Sequence, residues 1–419
     1  MLSADVSFPR GLSVPETKPD LDSGPTVIVP PAAYMAKTAP GSMATPRNCL
    51  EPVDSAAIKA QPKAPNYAFA FDIDGVLIRG GEVIPEAVEA LRILNGENEQ
   101  GIKVPYIFVT NGGGKPEEAR CADLSRQLQV PVSPQQFICG HTPMREMAGT
   151  YNTVLVVGGV GEACRVVAEG YGFKDVVTPG DLMKSISSIT PFRTLTEEEL
   201  ANSRYRDFSD VTIDAVFVFA DSRHWGDDVQ IIIDLLMSKN GRVGTRSETF
   251  DEGPPIFFSH NDVLWKTNHT QNRLGMGALR VMIEALFEQS TGKKLSRAVS
   301  FGKPQVGTFK YATSVLERWC KDHSGFGTSA ETVYFVGDTP ESDIKGTNEF
   351  DNLVDEEWYS ILVKTGVYEA GTEPRHRPKA TVNTVLDAVI FGMERSKIVM
   401  APKLQEGSVS STDEEEEEE

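Results

Sequence analysis

The stretch that decides the fold is Tyr67–Gly80, YAFAFDIDGVLIRG, where an apolar run ends in two aspartates separated by one isoleucine. Residues two apart on a strand point to the same side, so Asp72 and Asp74 project together from the carboxyl end of a buried strand. Open α/β sheets bind ligands at that edge. Two carboxylates held so close repel, which raises the pKa of one unless a cation sits between them. A hard divalent ion that takes oxygen ligands, such as Mg2+, relieves the repulsion. Gly75 then permits a tight departure of the backbone. Taken alone, Asp-x-Asp-Gly reads equally well as turn chemistry at a strand end. An EF-hand calcium loop is excluded, because it needs glycine sixth and glutamate twelfth, whereas here glycine is fourth and Val83 stands twelfth.

Outward from this stretch, strand-like and helix-period segments alternate. Strands are expected at 67–72, 104–109, 153–157, 214–219, 256–259, 333–336 and 360–364. Helices are expected at 84–95, 115–128, 161–170, 227–238, 276–290, 307–320 and 382–394. This pattern predicts an α/β fold with a mostly parallel sheet. Two polar segments, 184–210 and 239–255, break the rhythm and read as surface loops. The TVLVVGGVGEAC run at 153–164 has the opening of a dinucleotide-binding unit, but Cys164 replaces the third glycine and Asp181 only loosely meets the later acid. A helix packing on a strand accounts for those glycines.

Three later stretches also carry polar tips on strand ends. YIFVTNGGG at 106–114 ends in Thr110 and Asn111 and turns through three glycines, where a hydroxyl and backbone N–H groups can cradle a phosphate. Helix capping is the plainer account of that pair taken singly. VSFGKPQ at 299–305 offers Lys303 in a tight turn. VYFVGDTPESDI at 333–344 runs into Asp338, with Asp343 five residues later. Asp338 is a candidate metal ligand and Asp343 a candidate to orient a neighbour, although capping a helix accounts for either taken singly. Turn chemistry alone rarely produces the whole series in this order.

The series FDIDGVL, VTNGG, FGKP and GDTPESD resembles the four motifs of the haloacid dehalogenase superfamily of phosphatases. Nearly two hundred residues separate Thr110 from Lys303, far more than a connection requires, so a whole domain is inserted there. The resemblance therefore implies a doubly wound parallel-sheet core with an inserted α/β cap of the C2 type, as in the class IIA, NagD-like enzymes. The expected organisation is a disordered region over 1–64, a core in two parts at 65–146 and 298–400, the cap over 147–297, and a disordered acidic tail over 401–419. Within class IIA, GHTPMREM at 140–147, FSHNDVLWK at 258–266 and RLGMGALRVMIEAL at 273–286 are similar to the cat eye syndrome critical region protein 5 group. One departure is that class IIA caps commonly carry Asn-Pro-Asp where this chain has His260, Asn261 and Asp262.

By that resemblance Asp72 is the nucleophile, and Asp74 is the acid that protonates the leaving group and then the base that activates water. Thr110, Asn111 and Lys303 bind the phosphoryl group. Asp72, Asp338 and the backbone carbonyl of Asp74 hold Mg2+, with Asp343 supporting them from behind. Asp262, Lys266 and Arg273 are candidates for substrate contacts from the cap. The expected partner is a small phosphorylated metabolite, and a homodimer formed through the cap is compatible with the class. Some relatives are fused to enzymes of phospholipid synthesis, which points to glycerophosphate-like compounds. Sugar phosphates, nucleoside monophosphates and phosphoglycolate fit the cap type as well. Relatives are often mitochondrial, and the cytoplasm is the alternative. The rival function is a catalytically weak interaction or regulatory protein that keeps the phosphate-binding core.

Composition agrees with a globular chain of two or three domains: 419 residues, 40% of them hydrophobic. The net charge is −19, seven units of which lie in Asp413–Glu419, and no basic block occurs anywhere. That balance argues against nucleic acid or anionic membrane as the main partner, since both require a cationic footprint. Five scattered cysteines without a Cys-x-x-Cys pair read as reduced thiols. No apolar run reaches the length of about 20 residues that a bilayer span needs. Residues 1–64 lack the apolar stretch of a secretory signal. Their acids at Asp5, Glu16, Asp20 and Asp22 speak against a transit peptide, whereas the acid-free stretch 23–50, with Lys37 and Arg47, speaks for one.

Overall fold

The structure, a computed structural model, describes residues 65–323 and 330–400. The expected disorder of 1–64 and of the acidic tail lies outside the described residues. Tyr67–Phe71 is the decisive strand, and it forms the middle of a six-stranded sheet. The spatial order is Ala380–Val382, Glu357–Val363, Thr332–Gly337, Tyr67–Phe71, Tyr106–Val109 and Phe137–Ile138, every pairing parallel. The strand is apolar throughout because both of its faces are covered. Phe69 and Phe71 pack with Leu91, Leu124 and Val389 on one side. Ala68 and Ala70 face Phe309, Phe335 and Trp358 on the other.

This topology puts three strand ends side by side. Phe71 pairs with Val336 on one flank and Phe108 on the other, so Asp72, Asp338 and Thr110 emerge at one sheet edge. Asp72 is the last residue to join the ladder, its N–H donating to the Val336 carbonyl at 2.9 Å.

A second parallel sheet is built from Ala298–Ser300, Ile256–Phe258, Ala215–Val218, Thr153–Val157 and Asp175–Val177, in that order. Helices Trp225–Leu236 and Met276–Thr291 cover one face, with Ile232, Leu236, Leu279 and Ile283 in its core. Ala298–Ser300 joins this sheet, so it extends three residues past 297, where the cap was expected to end. The short, half-exposed AVS run gives no periodic signal from which to read that strand.

Two small antiparallel hairpins complete the fold, Ile78–Arg79 with Glu82–Val83 and Leu264–Trp265 with Arg273–Leu274. Within 184–210, read as a loop, a Thr196 capping box starts the short helix Glu197–Asn202. No helix among the described residues is long and apolar enough to cross a membrane.

Candidate active site

The site lies at the carboxyl edge of the six-stranded sheet. Asp72 is buried there, and its Oδ1 is 2.8 Å from Lys303 Nζ. The same ammonium lies 2.7 Å from Asp343 Oδ1. Lys303 is only 1% exposed, so this cation is fully committed to the carboxylates. Asp343 accepts the backbone N–H groups of Asp338 and Thr339 through Oδ2, both at 3.0 Å. It thereby fixes the turn that carries Asp338.

Asp338 is held from the far side. Val367 N–H donates to its Oδ2 at 2.6 Å, and the Thr339 hydroxyl to its Oδ1 at 3.2 Å. Two glycines make room for it. A Cβ on Gly75, which has φ +91°, would lie 2.3 Å from Asp338 Oδ2, and one on Gly366 only 1.8 Å away. Any side chain at either position would drive into the carboxylate.

Thr110 and Asn111 follow the neighbouring strand and part company in role. The Thr110 hydroxyl accepts Gly112 N–H at 3.0 Å and closes the glycine turn. The Asn111 amide donates to the Lys303 carbonyl at 3.1 Å and to Asp262 Oδ2 at 2.9 Å, while its Oδ1 accepts Lys303 N–H at 2.7 Å. Both hydrogens of the Asn111 side-chain amide are thus engaged within the protein.

Burial dominates the electrostatics. It pushes the Asp72 carboxyl well above its ordinary value; Lys303 opposes the shift and Asp343 and Asp338 add to it. Asp338 is pushed up to about 8 by burial and then by Asp343. Asp74 is likewise raised by burial, against the pull of Arg120 and Lys303. Burial disfavours the Lys303 cation, yet Asp343 and Asp72 outweigh it and raise its pKa.

One lysine does not neutralise this group. Oxygens of Asp72, Asp338 and Asp343 all lie within 4.8 Å of one another, all three residues being buried. An all-oxygen, acidic cradle of this kind fits a hard divalent ion.

From the smaller sheet, Asp262 reaches the site through Asn111, and His260 stands beside it. Asp262 N–H lies 3.3 Å from His260 Nδ1, and the ring's Nε2 is 3.9 Å from Asp221 Oδ2. Lys266 and Arg273 are not brought to the carboxylates. Lys266 donates to the Thr270 carbonyl inside its hairpin at 3.1 Å, and exposed Arg273 turns its Nε back on the Asn272 carbonyl.

A relative shares most of this chain. A mitochondrial hydrolase of Saccharomyces cerevisiae is 39% identical over 358 residues, covering 80% of this chain and 97% of its own. Residues 69–174 match the family described as haloacid dehalogenase-like hydrolase, and residues 300–388 a second family of the same kind. The chain belongs to the haloacid dehalogenase-like hydrolases.

A second relative of these hydrolases, a cardiolipin synthase (CMP-forming)/mitochondrial hydrolase fusion protein of Schizosaccharomyces pombe, is also 39% identical, over 81% of this chain. This chain spans 55% of the length of that fusion. A possible sugar phosphatase of the haloacid dehalogenase superfamily from Cytophaga hutchinsonii aligns with a TM-score of 0.50 at 16% identity, over 78% of this chain and 96% of its own. That likeness bears on the fold alone.

Two neighbours of the haloacid dehalogenase-like site were not among the expected residues. Asp221 follows the strand Ala215–Val218 as Asp72 follows its own, and its Oδ1 is buried without a hydrogen-bond partner among the described residues. A strand ending in an acid was the signal available. Arg120, on the helix Glu117–Leu128, shares a cavity with Asp74 and Thr110 and gave no signal beyond an unremarkable helix cation.

Behind the Thr110 turn lies a separate buried cluster. His141 Nδ1 is 2.8 Å from the Tyr171 hydroxyl, which donates to Glu117 Oε1. Thr142 and Arg145 each donate to the same oxygen at 3.2 Å. Cys139 lies within 3.5 Å of the imidazole. Burial lowers the His141 pKa to about 4, so the ring is neutral.

Proposed function

We propose that this hydrolase is a Mg2+-dependent phosphomonoesterase that works through a phospho-aspartate. The observation that carries the reading is Lys303 lodged between Asp72 and Asp343, at 2.8 and 2.7 Å, with Asp338 in the same cradle. We take the six-stranded sheet as the catalytic core and the five-stranded sheet as a cap that closes over it and excludes water.

In this scheme an Asp72 oxygen attacks phosphorus as the bond to the leaving oxygen breaks, while Asp74 passes its proton to that oxygen. Burial raises the Asp74 pKa, the direction that suits an acid. Asp74, now a carboxylate, takes a proton from water, whose oxygen attacks the phospho-aspartate. Inorganic phosphate leaves and the Asp72 carboxylate is restored. Lys303 and the Thr110 turn hold the phosphoryl oxygens, with lysine acting as a point charge. Asp72, Asp338 and the Asp74 carbonyl would hold Mg2+, which when bound supplies positive charge against the phosphoryl oxygens.

The substrate we propose is a small phosphorylated metabolite of the glycerophosphate kind. Support comes from the S. pombe relative, named as a fusion with a cardiolipin synthase. Both yeast relatives are named as mitochondrial, and we place this protein there too, which fractionation of cells producing the full chain would check.

The test is a screen of phosphorylated metabolites with and without Mg2+, run in parallel on Asp72→Asn. Metal-dependent phosphate release by the wild type and none by the variant is the expected result. Turnover by Asp72→Asn at a near-normal rate would remove the reading, and a chain inert on every compound would leave the interaction protein as the better account.

A further inference from the structure

A cavity of about 210 Å3 adjoins the phosphoryl site, lined by Asp74, Thr110, Gly112, Lys115, Arg120 and Phe137. On the reading above, Asp74 protonates the leaving alcohol, so the alcohol must lie within reach of its carboxyl. This cavity is the space Asp74 lines. It is smaller than the roughly 300–1,000 Å3 of sites for drug-sized ligands, which suits a short alcohol better than a nucleoside.

The two cations in its wall differ. Lys115 is exposed and paired with Asp123 at 3.0 Å. Arg120 is half-buried, and its guanidinium appears in no ion pair or side-chain hydrogen bond among the described residues. A planar fork that has lost part of its hydration and gained no partner is suited to a carboxylate or phosphate. Arg120 and Asp74 line the same cavity. Among the described residues, Asp74 is the only carboxylate that lines this cavity, against the two cations Lys115 and Arg120. An anionic group near Asp74 is therefore favoured on the Arg120 side.

We propose that Arg120 recognises an anionic substituent, a carboxylate or a second phosphate, on a short leaving alcohol. The favoured substrates are then few-carbon phosphomonoesters with a second negative group. This rests on the phosphatase reading, which supplies the direction in which the alcohol departs.

The experiment compares glycerol 3-phosphate, 3-phosphoglycerate and glycerol 1,3-bisphosphate as substrates of the full chain with Mg2+. The three share a short carbon chain and differ in the second group, so they separate carboxylate from phosphate recognition. Charge-assisted, bidentate bonds make a difference of about tenfold or more in kcat/KM in favour of the anionic pair. Arg120→Gln is expected to erase that preference, chiefly through KM, and Arg120→Lys to restore part of it. An equal loss on all three compounds overturns the proposal. If no compound is hydrolysed, the phosphatase reading fails by itself, and Arg120 is tested by calorimetric titration of Asp72→Asn with 3-phosphoglycerate and glycerol 3-phosphate. Binding there that is indifferent to the carboxylate, or to Arg120→Gln, overturns the proposal independently.

Discussion

Asn111 grips Lys303 by its backbone on both sides: its Oδ1 accepts the lysine N–H at 2.7 Å, and its amide donates to the lysine carbonyl at 3.1 Å. The two residues are 192 positions apart, with the five-stranded sheet inserted between them. A turn held in this way carries its ammonium into a buried carboxylate pair without relying on the long insertion for accuracy. The Asn111 amide also reaches Asp262, so one side chain ties together the second and third motifs and the cap.

Asn111→Ala tests this arrangement. It strands a buried N–H and a buried carbonyl, at about 1–3 kcal/mol for each group left unpaired. It also frees the Lys303 turn, and a misplacement of about 1 Å at a reacting centre costs on the order of a hundredfold in rate. We expect kcat to fall on that scale along with a lower guanidinium midpoint. A variant with a normal kcat would mean that the lysine turn is held by something else.

Lys303→Met removes the only cation in contact with Asp72 and Asp343 among the described residues. Leaving buried charges uncompensated costs about 3–5 kcal/mol, more than the pair itself contributes over an apolar replacement. Equilibrium unfolding of metal-free protein should show a loss of that size. Equal stability of variant and wild type would indicate that the two carboxyls simply take up protons.

The fold was largely legible because both faces of Tyr67–Phe71 are buried, and such strands announce themselves as continuous apolar runs. Its neighbours Thr332–Gly337 and Tyr106–Val109 share that property, and with them came Asp72, Thr110 and Asp338 as strand ends. Short strands at sheet edges were hidden: Phe137–Ile138 and Asp175–Val177 are held by pairing and not by any periodic pattern of their own. Side-chain partners were hidden as well. Nothing local to Asn111 announces its bonds to a residue far along the chain, and the hydrogen bonds of Lys266 and Arg273 lie within their own hairpin. Asp221 required the juxtaposition of two sheets to be noticed, and Arg120 the packing of its helix beside Asp74 and Thr110.

Gly366→Ala probes the metal cradle by size alone. Its Cβ would lie 1.8 Å from Asp338 Oδ2, so the carboxylate or the Val367 turn must shift. A ligand that binds only the folded state raises stability by about 2.7 kcal/mol at a hundred times its dissociation constant. Wild-type protein should therefore melt at a higher temperature with Mg2+ than with a chelator, and Gly366→Ala should lose most of that difference. An undiminished Mg2+ shift in the variant would place the metal away from Asp338.

The buried His141 gives the fold an acid-sensitive element distinct from the carboxylates. Its folded pKa of about 4 lies below the ordinary 6.5, since burial opposes the charged ring. Between those values the unfolded chain takes up a proton that the native chain refuses, so stability is full above pH 6.5 and falls as the pH drops toward 4. A gap of this size corresponds to about 3 kcal/mol in all, of which about 2 kcal/mol is lost by pH 5. His141→Gln has no proton to gain and should show a shallower decline, whatever its stability at pH 7. Denaturant midpoints of the two proteins at pH 7 and pH 5 read this directly, and parallel declines would show that His141 titrates alike folded and unfolded.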